Sequence, residues 1–577
     1  MSYRANMNKW ITFVVLVSNM VFAQTLTVVQ QFPESSAGNW NQLHLADVNG
    51  DGNDDMVARF TGPELEGSVI GIWLFQESTG LFSESIDCKI DLDFTSNNAF
   101  VNAGDFNDDG FADIVMLSQY AGDHPPKIVL GRATWPEFIT TADIECSAPV
   151  DPDFQQSGQY TTPVVGDWNG DYIPDFAYPD QGTALSTGNY GGRCVVHYGD
   201  PNFSGEPDLT INLLGTDLGI PVTDVEDEVL FLRWFGPFMD TGDFNGDGFD
   251  DLMAGAFYSS SNILLTSIVT GQDQEAWNCG AGLVFLGGFE FDDNPDIIMV
   301  PPDEFLQFTT PADFFYAGYW VMNLGDLDGD GTDDFGLPSW YWGVTLVYPG
   351  NRGYMMAPTI YQSRILRDPM FYFTKDRYSG LGGSDQWGAN LYGIGDINGD
   401  GTPDLGNARN YLGAGPLDPG IRIFLVNPGL TDAIDFTFEN EEYRNVLSAH
   451  LDIDGDGSDE FFATANSDGN FLTLLSYGDG VSVDQENILP KRVVLNQNYP
   501  NPFNPTTRIS FEMSTEGNIR LSVYDVTGGL VEILVEDNLS SGHHEFQWDP
   551  AKNLSGIYLY ELRAKHYREV RKMLLIK

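Results

Sequence analysis

The sequence predicts an all-β protein, and three observations lead to this fold class. A short acidic stretch returns seven times between Asp47 and Glu460, and most copies are followed at once by a run of apolar residues. Gly, Asn, Asp and Ser separate these runs, and no long amphipathic helical pattern intervenes. After Gly480 the composition changes, and further short apolar runs alternate with turns. These patterns predict a repeated β-structure followed by a small β-domain.

Residues 1–23 have the pattern of a secretory signal peptide. Arg4 and Lys9 give a basic start, residues 10–21 are mostly apolar, and Ala23 is a small residue at the predicted cleavage site. The apolar run is too short for a membrane anchor and is interrupted by polar residues. We expect no transmembrane segment after removal of the signal, because no other stretch is long and apolar enough.

The charge balance limits the class of partner. The formal net charge is −57, from 84 acidic against 27 basic residues. Nucleic acid and anionic lipid are not expected as partners, because an acidic surface repels phosphate groups. Much of the acidic excess lies in the seven repeated stretches, where bound cations would neutralise it.

The acidic stretch is fullest between Asp326 and Asp334, and it places side-chain oxygens at loop positions one, three, five and nine. Alternate residues of a tight loop can point inward, so four carboxylate or amide oxygens converge on one point. Such hard oxygen ligands suit Ca²⁺, and the carbonyl of position seven can add another ligand. We expect up to seven Ca²⁺ sites. Their candidate ligands are Asp47, Asn49, Asp51 and Asp55; Asp105, Asn107, Asp109 and Asp113; Asp167, Asn169, Asp171 and Asp175; Asp243, Asn245, Asp247 and Asp251; Asp326, Asp328, Asp330 and Asp334; Asp396, Asn398, Asp400 and Asp404; and Asp452, Asp454, Asp456 and Glu460.

Position six permits the sharp turn that such a loop requires, because glycine readily adopts a positive φ. The glycines at this position are Gly52, Gly110, Gly248, Gly331, Gly401 and Gly457. Tyr172 takes this place in the third copy, so we expect a weaker or distorted third site. Asp-Gly pairs also occur in simple hairpin turns. That alternative explains one copy, whereas seven copies with the same oxygen spacing favour metal binding.

An EF-hand is excluded, because that loop needs a glutamate at position twelve and a helix on each side. In the seven copies position twelve is Ala58, Met116, Tyr178, Ala254, Leu337, Asn407 or Ala463. The apolar runs that follow most loops read instead as strands. Each loop is therefore predicted to be the turn of a β-hairpin.

The spacing of the copies predicts the architecture of the repeat region. Loop starts lie about 56 to 83 residues apart, which is enough for one four-stranded unit. Around the first loop the predicted strands cover residues 43–45, 56–60, 68–76 and 81–90. Repeated four-stranded antiparallel units predict a β-propeller, which leaves only short, protected sheet edges. We expect seven blades over residues 24–485, with residues 26–31 pairing into the last blade.

Four cysteines leave two interpretations open. Cys88 and Cys146 lie in similar places after successive loops, as do Cys194 and Cys279. Disulfides between these pairs can form in an oxidising compartment. Buried free thiols are equally compatible with the sequence.

Aromatic residues mark longer insertions in blades four to six, beside a polar insertion at residues 259–277. They are Trp340, Tyr341 and Trp342, and, within residues 366–383, Phe371, Tyr372, Phe373 and Tyr378 near Arg377. Such residues either form a stacking platform for a sugar or protein ligand or fill the space between blades. We favour the second interpretation.

Catalysis finds little support in the repeat region. Its histidines, His44, His124, His197 and His450, lie in no recognisable nucleophile or zinc motif. Carboxylates that hold calcium are poor general acids, and glycosidase chemistry would need a carboxyl pair outside the metal loops.

The repeats resemble FG-GAP repeats of the integrin α-chain type, also called VCBS repeats. The resemblance rests on Phe235-Gly236, on residues 242–248 (GDFNGDG) and on residues 254–256 (AGA), and Trp387-Gly388 before Asp396 is a similar pair. It covers most of the chain after the signal. It implies a seven-bladed propeller with calcium in the hairpin loops of its blades.

A second domain is predicted over residues 495–577, after a linker at residues 486–494. Prolines between Tyr499 and Pro505 fix an extended segment. Short strands are then predicted at residues 508–513, 519–526, 530–535, 543–548, 556–564 and 569–576. This pattern predicts a small Ig-like β-sandwich, whose last strands are basic, unlike the repeat region.

This domain resembles the C-terminal type A sorting domain of the type IX secretion system. The resemblance rests on residues 498–507, Tyr524 with Gly528, Gly542 with Trp548, and residues 555–558. It implies recognition by the outer-membrane secretion machinery of a Gram-negative-type bacterium, followed by release or surface attachment.

The sequence thus favours a secreted or cell-surface, calcium-binding module that is not an enzyme and that binds an unknown glycan or protein. Two alternatives from other classes stay open. One is a polysaccharide-active enzyme on a propeller scaffold, and the other is a structural subunit of a surface complex.

Overall fold

The structure is a computed structural model, and it confirms the all-β prediction: the described residues form 44 β-strands and no helix. The predicted signal peptide and most of the predicted linker lie outside these residues. The structure describes residues 25–32, 43–61, 68–92, 99–118, 125–147, 149, 154–156, 162–184, 190–212, 219–221, 229–231, 238–256, 260–266, 273–276, 279–302, 317–339, 344–356, 364–367, 369–374, 391–408, 421–426, 437–440, 443–452, 457–465, 472–478, 493–495, 498, 500–501, 503, 506–513, 517–525, 530–540, 542–548, 550, 556–564 and 567–575.

Strands β1 to β19 cover the first three loops and the connection to the fourth. They are β1 (Thr25–Phe32), β2 (Leu43–Ala46), β3 (Asp55–Thr61), β4 (Ser68–Trp73), β5 (Phe75–Gln76), β6 (Leu81–Phe82), β7 (Cys88–Ile90), β8 (Ala99–Gly104), β9 (Asp113–Ser118), β10 (Lys127–Val129), β11 (Phe138–Ile139), β12 (Ile144–Glu145), β13 (Phe154–Gln156), β14 (Val164–Gly166), β15 (Asp175–Ala184), β16 (Tyr190–His197), β17 (Leu209–Asn212), β18 (Gly219–Pro221) and β19 (Val229–Phe231).

The remaining strands cover the last four loops and the C-terminal region. They are β20 (Met239–Gly242), β21 (Asp251–Gly255), β22 (Ser260–Thr266), β23 (Asp273–Ala276), β24 (Gly282–Phe285), β25 (Ile297–Met299), β26 (Met322–Asn323), β27 (Phe335–Ser339), β28 (Val344–Tyr348), β29 (Arg364–Leu366), β30 (Phe371–Thr374), β31 (Leu391–Gly395), β32 (Asp404–Ala408), β33 (Ile421–Phe424), β34 (Thr437–Asn440), β35 (Tyr443–Leu451), β36 (Glu460–Ala465), β37 (Leu472–Gly478), β38 (Val493–Leu495), β39 (Thr507–Met513), β40 (Gly517–Asp525), β41 (Leu530–Leu539), β42 (Gly542–Trp548), β43 (Gly556–Ala564) and β44 (Tyr567–Leu575).

Every acidic loop connects two antiparallel neighbours, as predicted. The strand that leads into each loop pairs with the strand that leaves it, in the pairs β2–β3, β8–β9, β14–β15, β20–β21, β26–β27, β31–β32 and β35–β36. A third strand pairs with the leaving strand in each of these seven sheets, and a fourth strand follows it. We refer to the strand that leads into a loop as the leading strand and number the sheets one to seven with their loops.

The N-terminal strand completes the seventh sheet. β1 pairs antiparallel with β37 from Thr25 opposite Gly478 to Phe32 opposite Leu472. The expected pairing of residues 26–31 into the last repeat is therefore confirmed.

The leading strands succeed one another in space as they do in sequence. β2 lies beside β8, β8 beside β14, β14 beside β20, β20 beside β26, β26 beside β31 and β31 beside β35. β35 in turn lies beside β2. The succession therefore returns to its starting strand.

Apolar cores lie between neighbouring sheets. Trp168 and Leu283 belong to one buried cluster that joins sheets three and four, and Val57 and Met116 belong to another that joins sheets one and two. Similar clusters join sheets two and three, four and five, five and six, six and seven, and seven and one. Each sheet thus buries both of its faces against its two neighbours.

Two predicted strands of the first sheet are too long. The third strand ends at Trp73, and the chain then forms the separate hairpin β5–β6 before the fourth strand, Cys88–Ile90. The Asp87 side chain explains the break, because its Oδ2 accepts the Leu74 N–H at 2.9 Å and so ends the regular pairing.

Two insertions contain strands that the sequence analysis did not predict. Residues 259–277 contain β22 and β23, which form a separate four-stranded sheet with β18 and β19. Residues 366–383 contain β30, which is the fourth strand of sheet five and pairs with β28. Trp340, Tyr341, Trp342, Arg377 and Tyr378 lie outside the described residues.

The cysteines are buried thiols, and no disulfide joins them. The structure therefore agrees with the interpretation of buried free thiols and not with that of disulfides. Burial raises the pKa of Cys88 to about 11 and that of Cys146 to about 12.

The C-terminal region forms two sheets, β38-β39-β42 and β41-β40-β43-β44. Five of its six predicted strands coincide with observed strands to within three residues at each end, while β41 extends four residues beyond the predicted end. Both sheets contribute to one buried cluster that contains Ile509, Leu521, Trp548 and Tyr560. The specific Ig-like arrangement stays a prediction, as do the domain boundaries.

Candidate metal centres

Six of the seven acidic loops are described in full. In the seventh, Asp452 and Glu460 are described, whereas Asp454 and Asp456 lie outside the described residues. Every described loop runs between the same two strands of its sheet, so the candidate ligands recur at equivalent places in successive sheets.

The backbone turns sharply at two places in each of the six fully described loops. Position six has a positive φ, from 84° at Gly52 to 92° at Gly457, as predicted, and Tyr172 adopts a φ of 72° in the third loop. Position four is also left-handed, at Gly50, Asp108, Gly170, Gly246, Gly329 and Gly399, which the sequence analysis missed. Two left-handed residues let the polar side chains at odd positions face the same centre.

The carboxylate at position one organises this turn. In loop five, Asp326 Oδ1 accepts the Asp330 N–H at 3.0 Å and Oδ2 accepts the Gly331 N–H at 2.8 Å. The same pair of hydrogen bonds recurs in the other five fully described loops, at 2.6 to 3.1 Å. The third loop keeps this pattern, with Tyr172 donating at 2.8 Å. A weaker third site stays a prediction.

The position-nine carboxyl joins the loop to the rest of its sheet. In loop three, Asp175 Oδ2 accepts the Trp168 N–H at 3.0 Å and Oδ1 accepts the Gly199 N–H at 2.8 Å, just beyond the third strand. Equivalent bonds from residues two positions beyond the third strand reach position nine in the other five fully described loops. Position nine is at most 2 % exposed in all seven loops, so this carboxyl is buried.

Burial raises the pKa values of the position-nine carboxyls. Desolvation of the charged form is the largest cause of this rise in pKa, and the neighbouring loop carboxylates add to it. The pKa of position nine rises to about 7 at Asp55 and Asp113, to about 8 at Asp175, Asp334 and Asp404, and well above its ordinary value at Asp251. A bound divalent cation would offset both causes, because it compensates the buried charge and the mutual repulsion.

The donor set fits calcium. One carboxylate oxygen each from Asp326, Asp328 and Asp334 lies within 4.8 Å of the others, as expected if each is 2.3 to 2.6 Å from a shared Ca²⁺. In loops one and two, Asp55 Oδ2 and Asp113 Oδ2 are buried without a hydrogen bond of normal geometry. A cation at the centre would supply the missing partner.

The side chains at positions three and five form hydrogen bonds that differ from loop to loop. Asn49 Oδ1 accepts the Asp51 N–H at 2.8 Å, while its amide nitrogen donates to Asp51 Oδ2 at 3.1 Å. In loop five, Asp330 Oδ1 accepts the backbone N–H of Thr332 at 3.0 Å and also its hydroxyl. Among the fully described loops, loop five is the one in which position three is a carboxylate.

Position eight has a role that was not predicted from the sequence. Asp250, Asp333 and Asp459 each accept the N–H of the first residue in the preceding loop, at 2.9, 3.1 and 2.8 Å. An acidic pair at positions eight and nine is visible in the sequence and could have indicated a separate role for the first of the two residues.

Two histidines of the repeat region have described side chains: His197 is buried, and His44 is largely buried. Burial lowers the pKa of His44 and of His197 to about 4. The His197 ring stacks on Phe176 with centroids 4.6 Å apart, and its Nδ1 lies 3.1 Å from the Glu206 carbonyl oxygen. Both histidines are therefore neutral packing residues at pH 7.

Two comparisons with protein families bear on this site. The FG-GAP repeat family matches residues 235–263, which contain loop four. The secretion system C-terminal sorting domain family matches residues 497–577. The chain thus contains an FG-GAP repeat and a type IX sorting domain.

The sorting domain marks proteins that are exported by type IX secretion, so the protein is secreted or located on the outer cell surface. It also implies an interaction with the secretion machinery. The described part of the chain has no helix of the length and apolarity needed to cross a membrane.

Proposed function

We propose that this exported protein, with its FG-GAP repeat and sorting domain, is a calcium-binding β-propeller that acts as a non-catalytic binding or adhesion module. The observation that carries the proposal is the recurrence, in every fully described acidic loop, of a buried position-nine carboxyl beside the partly or fully exposed carboxylates of the same loop. Buried carboxylates need a compensating charge, and oxygen-rich loops of this kind select Ca²⁺.

The propeller is supported by the cyclic succession of leading strands and by the seven apolar cores between neighbouring sheets. Seven sheets that each pack on two neighbours have no free end, and β1 completes the last of them. A seven-bladed propeller is the arrangement that accounts for all three features.

The ligand is proposed to be a glycan or a protein at the cell exterior. A non-catalytic role is supported by the buried, neutral histidines and by the concentration of carboxyls in the loops. Binding to a glycan array, with and without calcium, would identify the ligand class. Turnover of a polysaccharide would favour the enzyme alternative, and co-purification with surface proteins would favour the structural subunit.

Calcium binding can be tested by titration calorimetry on the chain without its signal peptide. We expect several sites with Kd of roughly 10⁻⁴ to 10⁻³ M. Asp328→Ala removes a position-three carboxylate of loop five and should abolish one site. Asp293→Ala, an acidic residue outside the loops, serves as the matched control and should leave the number of sites unchanged. Absence of calcium binding in the unmodified chain would refute the proposal.

A further inference from the structure

In loops three to seven, position eight packs against the preceding sheet. A Cβ atom added to the glycine just before a loop would lie within 3.2 Å of the position-eight residue of the next loop. The five such pairs are Gly104 with Pro174, Gly166 with Asp250, Gly242 with Asp333, Gly325 with Pro403, and Gly395 with Asp459. Glycine at this point therefore lets residue eight approach the start of the preceding loop.

Where position eight is an aspartate, the contact becomes a hydrogen bond to a candidate metal ligand. The Asp243 N–H donates to Asp333 Oδ2 at 3.1 Å, and the Asp333 N–H donates to the Asp243 carbonyl at 3.0 Å. Asp396 and Asp459 exchange the same two bonds, both at 2.8 Å. The Asp167 N–H donates to Asp250 Oδ2 at 2.9 Å. Position eight of one loop thus holds the backbone of position one in the preceding loop. Position one is a candidate ligand of its own loop, and position eight directly precedes the candidate ligand at position nine.

We propose that Asp250, Asp333 and Asp459 are positioning residues that couple calcium binding between neighbouring loops. This inference rests on the proposed calcium function. Loops three, four and five belong to one cooperative group, and loops six and seven belong to another. Calcium in loop four fixes Asp251 and therefore its neighbour Asp250, which in turn holds the backbone of Asp167 in loop three. The second ion then binds a loop that is already ordered, which is a coupling free energy between the two sites.

The same chain supplies its own comparison. Position eight is Ala112 in loop two, Pro174 in loop three and Pro403 in loop six, and none of these side chains has a hydrogen-bond acceptor. Loops one and two keep only the backbone bond from Ala112 to the Asp47 carbonyl, at 2.9 Å. Side-chain coupling is therefore absent from the loop pairs one–two, two–three and five–six.

Loop three offers a direct readout of this coupling. Its nine positions include Trp168 and Tyr172, whereas the nine positions of the other six loops contain no tryptophan or tyrosine. Tb³⁺ binds oxygen ligands as Ca²⁺ does, and nearby aromatic rings sensitise its emission. Asp171→Ala removes a candidate ligand of loop three. The Tb³⁺ emission that the unmodified chain shows and this variant lacks therefore reports ion binding to loop three.

The Asp250→Ala variant should raise the Tb³⁺ concentration for half-saturation of loop three about tenfold, within the usual range of coupling between sites. Asp250→Asn keeps an acceptor oxygen and should stay near the unmodified chain. Asp459→Ala makes the equivalent change between loops six and seven. It should leave the Tb³⁺ concentration for half-saturation of loop three unaltered. Far-UV circular dichroism and a thermal melt establish that each variant is folded.

A double-mutant cycle separates coupling from local damage. Asp247→Ala disables loop four without touching Asp250, and it should weaken loop three in the unmodified chain but not in Asp250→Ala. If loop three binds Tb³⁺ and neither variant changes its half-saturation, the coupling is refuted while the calcium function stands. If no Tb³⁺ or Ca²⁺ binds to the chain, the proposed function itself fails.

Discussion

Tyr172 shows how much a single backbone conformation matters in these loops. Its φ of 72° lies in the left-handed region that six other loops give to glycine. An L-residue with a Cβ pays about 1–2 kcal/mol there, and the side chain is 66 % exposed, so burial recovers little. The loop still keeps the Tyr172 N–H bond to Asp167, so it differs from its neighbours in strain rather than in geometry.

Replacing Tyr172 by glycine should therefore relieve the backbone strain. Tyr172→Gly is expected to be about 1 kcal/mol more stable than Tyr172→Ala in urea unfolding with excess calcium, because only glycine adopts this φ without a steric cost. The alanine variant is the matched control: it also removes the ring and its contact with the Lys572 ammonium, 5.9 Å away. Equal stability of the two variants would show that the turn is unstrained.

Strand β1 ends in a buried cluster of aromatic side chains. Its last residue, Phe32, is buried among Trp73, Phe82 and Phe462, with ring centroids 6.1 to 6.3 Å apart. Phe462 belongs to sheet seven, whereas Trp73 belongs to sheet one. The N-terminal strand thus holds together the first and the last sheet of the repeat region.

Truncation of this contact should destabilise the whole repeat region. Phe32→Ala is expected to lower the free energy of unfolding by about 3–5 kcal/mol, as other buried phenylalanines do. Phe289→Ala is the control, because that side chain is 80 % exposed, and its effect should be within about 0.5 kcal/mol. Urea titration followed by tryptophan fluorescence measures both. A small loss for Phe32→Ala would mean that β1 contributes little to stability.

Elements with a local cause were predictable from the sequence. The hairpin loops follow from oxygen spacing and from glycine at position six, which are both properties of nine consecutive residues. The end of the third strand at Trp73 was missed, because it depends on Asp87 reaching back 13 residues to Leu74. Position eight was missed for a similar reason, since Asp250 contacts Asp167 across 83 residues of sequence. The acidic pair at positions eight and nine is visible within one loop, but its contact in the neighbouring sheet is not.

For the whole molecule, the proposed calcium ions would compete with protons for the same buried carboxyls. The position-nine pKa values of about 7 to 8 exceed the ordinary value, so the folded, calcium-free chain binds more protons than the unfolded chain between about pH 4 and 8. Its stability therefore increases as the pH falls through this range. If calcium binds as proposed, its stabilisation of the fold should decrease over the same range, because protonated carboxyls are poor ligands.

Thermal melts should reveal this opposition. If calcium exceeds Kd tenfold, linkage contributes about 1.4 kcal/mol per site, or roughly 10 kcal/mol for seven sites. At pH 8 excess EGTA should lower Tm by on the order of 10 °C. The difference between calcium and EGTA should shrink towards pH 5, while Tm in EGTA rises. A Tm at pH 8 that is insensitive to EGTA would contradict the calcium proposal.

The pairing of β1 with β37 also has a consequence during biosynthesis. The two strands lie about 450 residues apart in sequence, so the ribosome releases one of them long before the other exists. Throughout this interval the nascent chain exposes an unpaired strand, which is a site of aggregation. A chaperone that covers extended apolar segments is therefore expected to accompany the polypeptide until translation has passed Gly478.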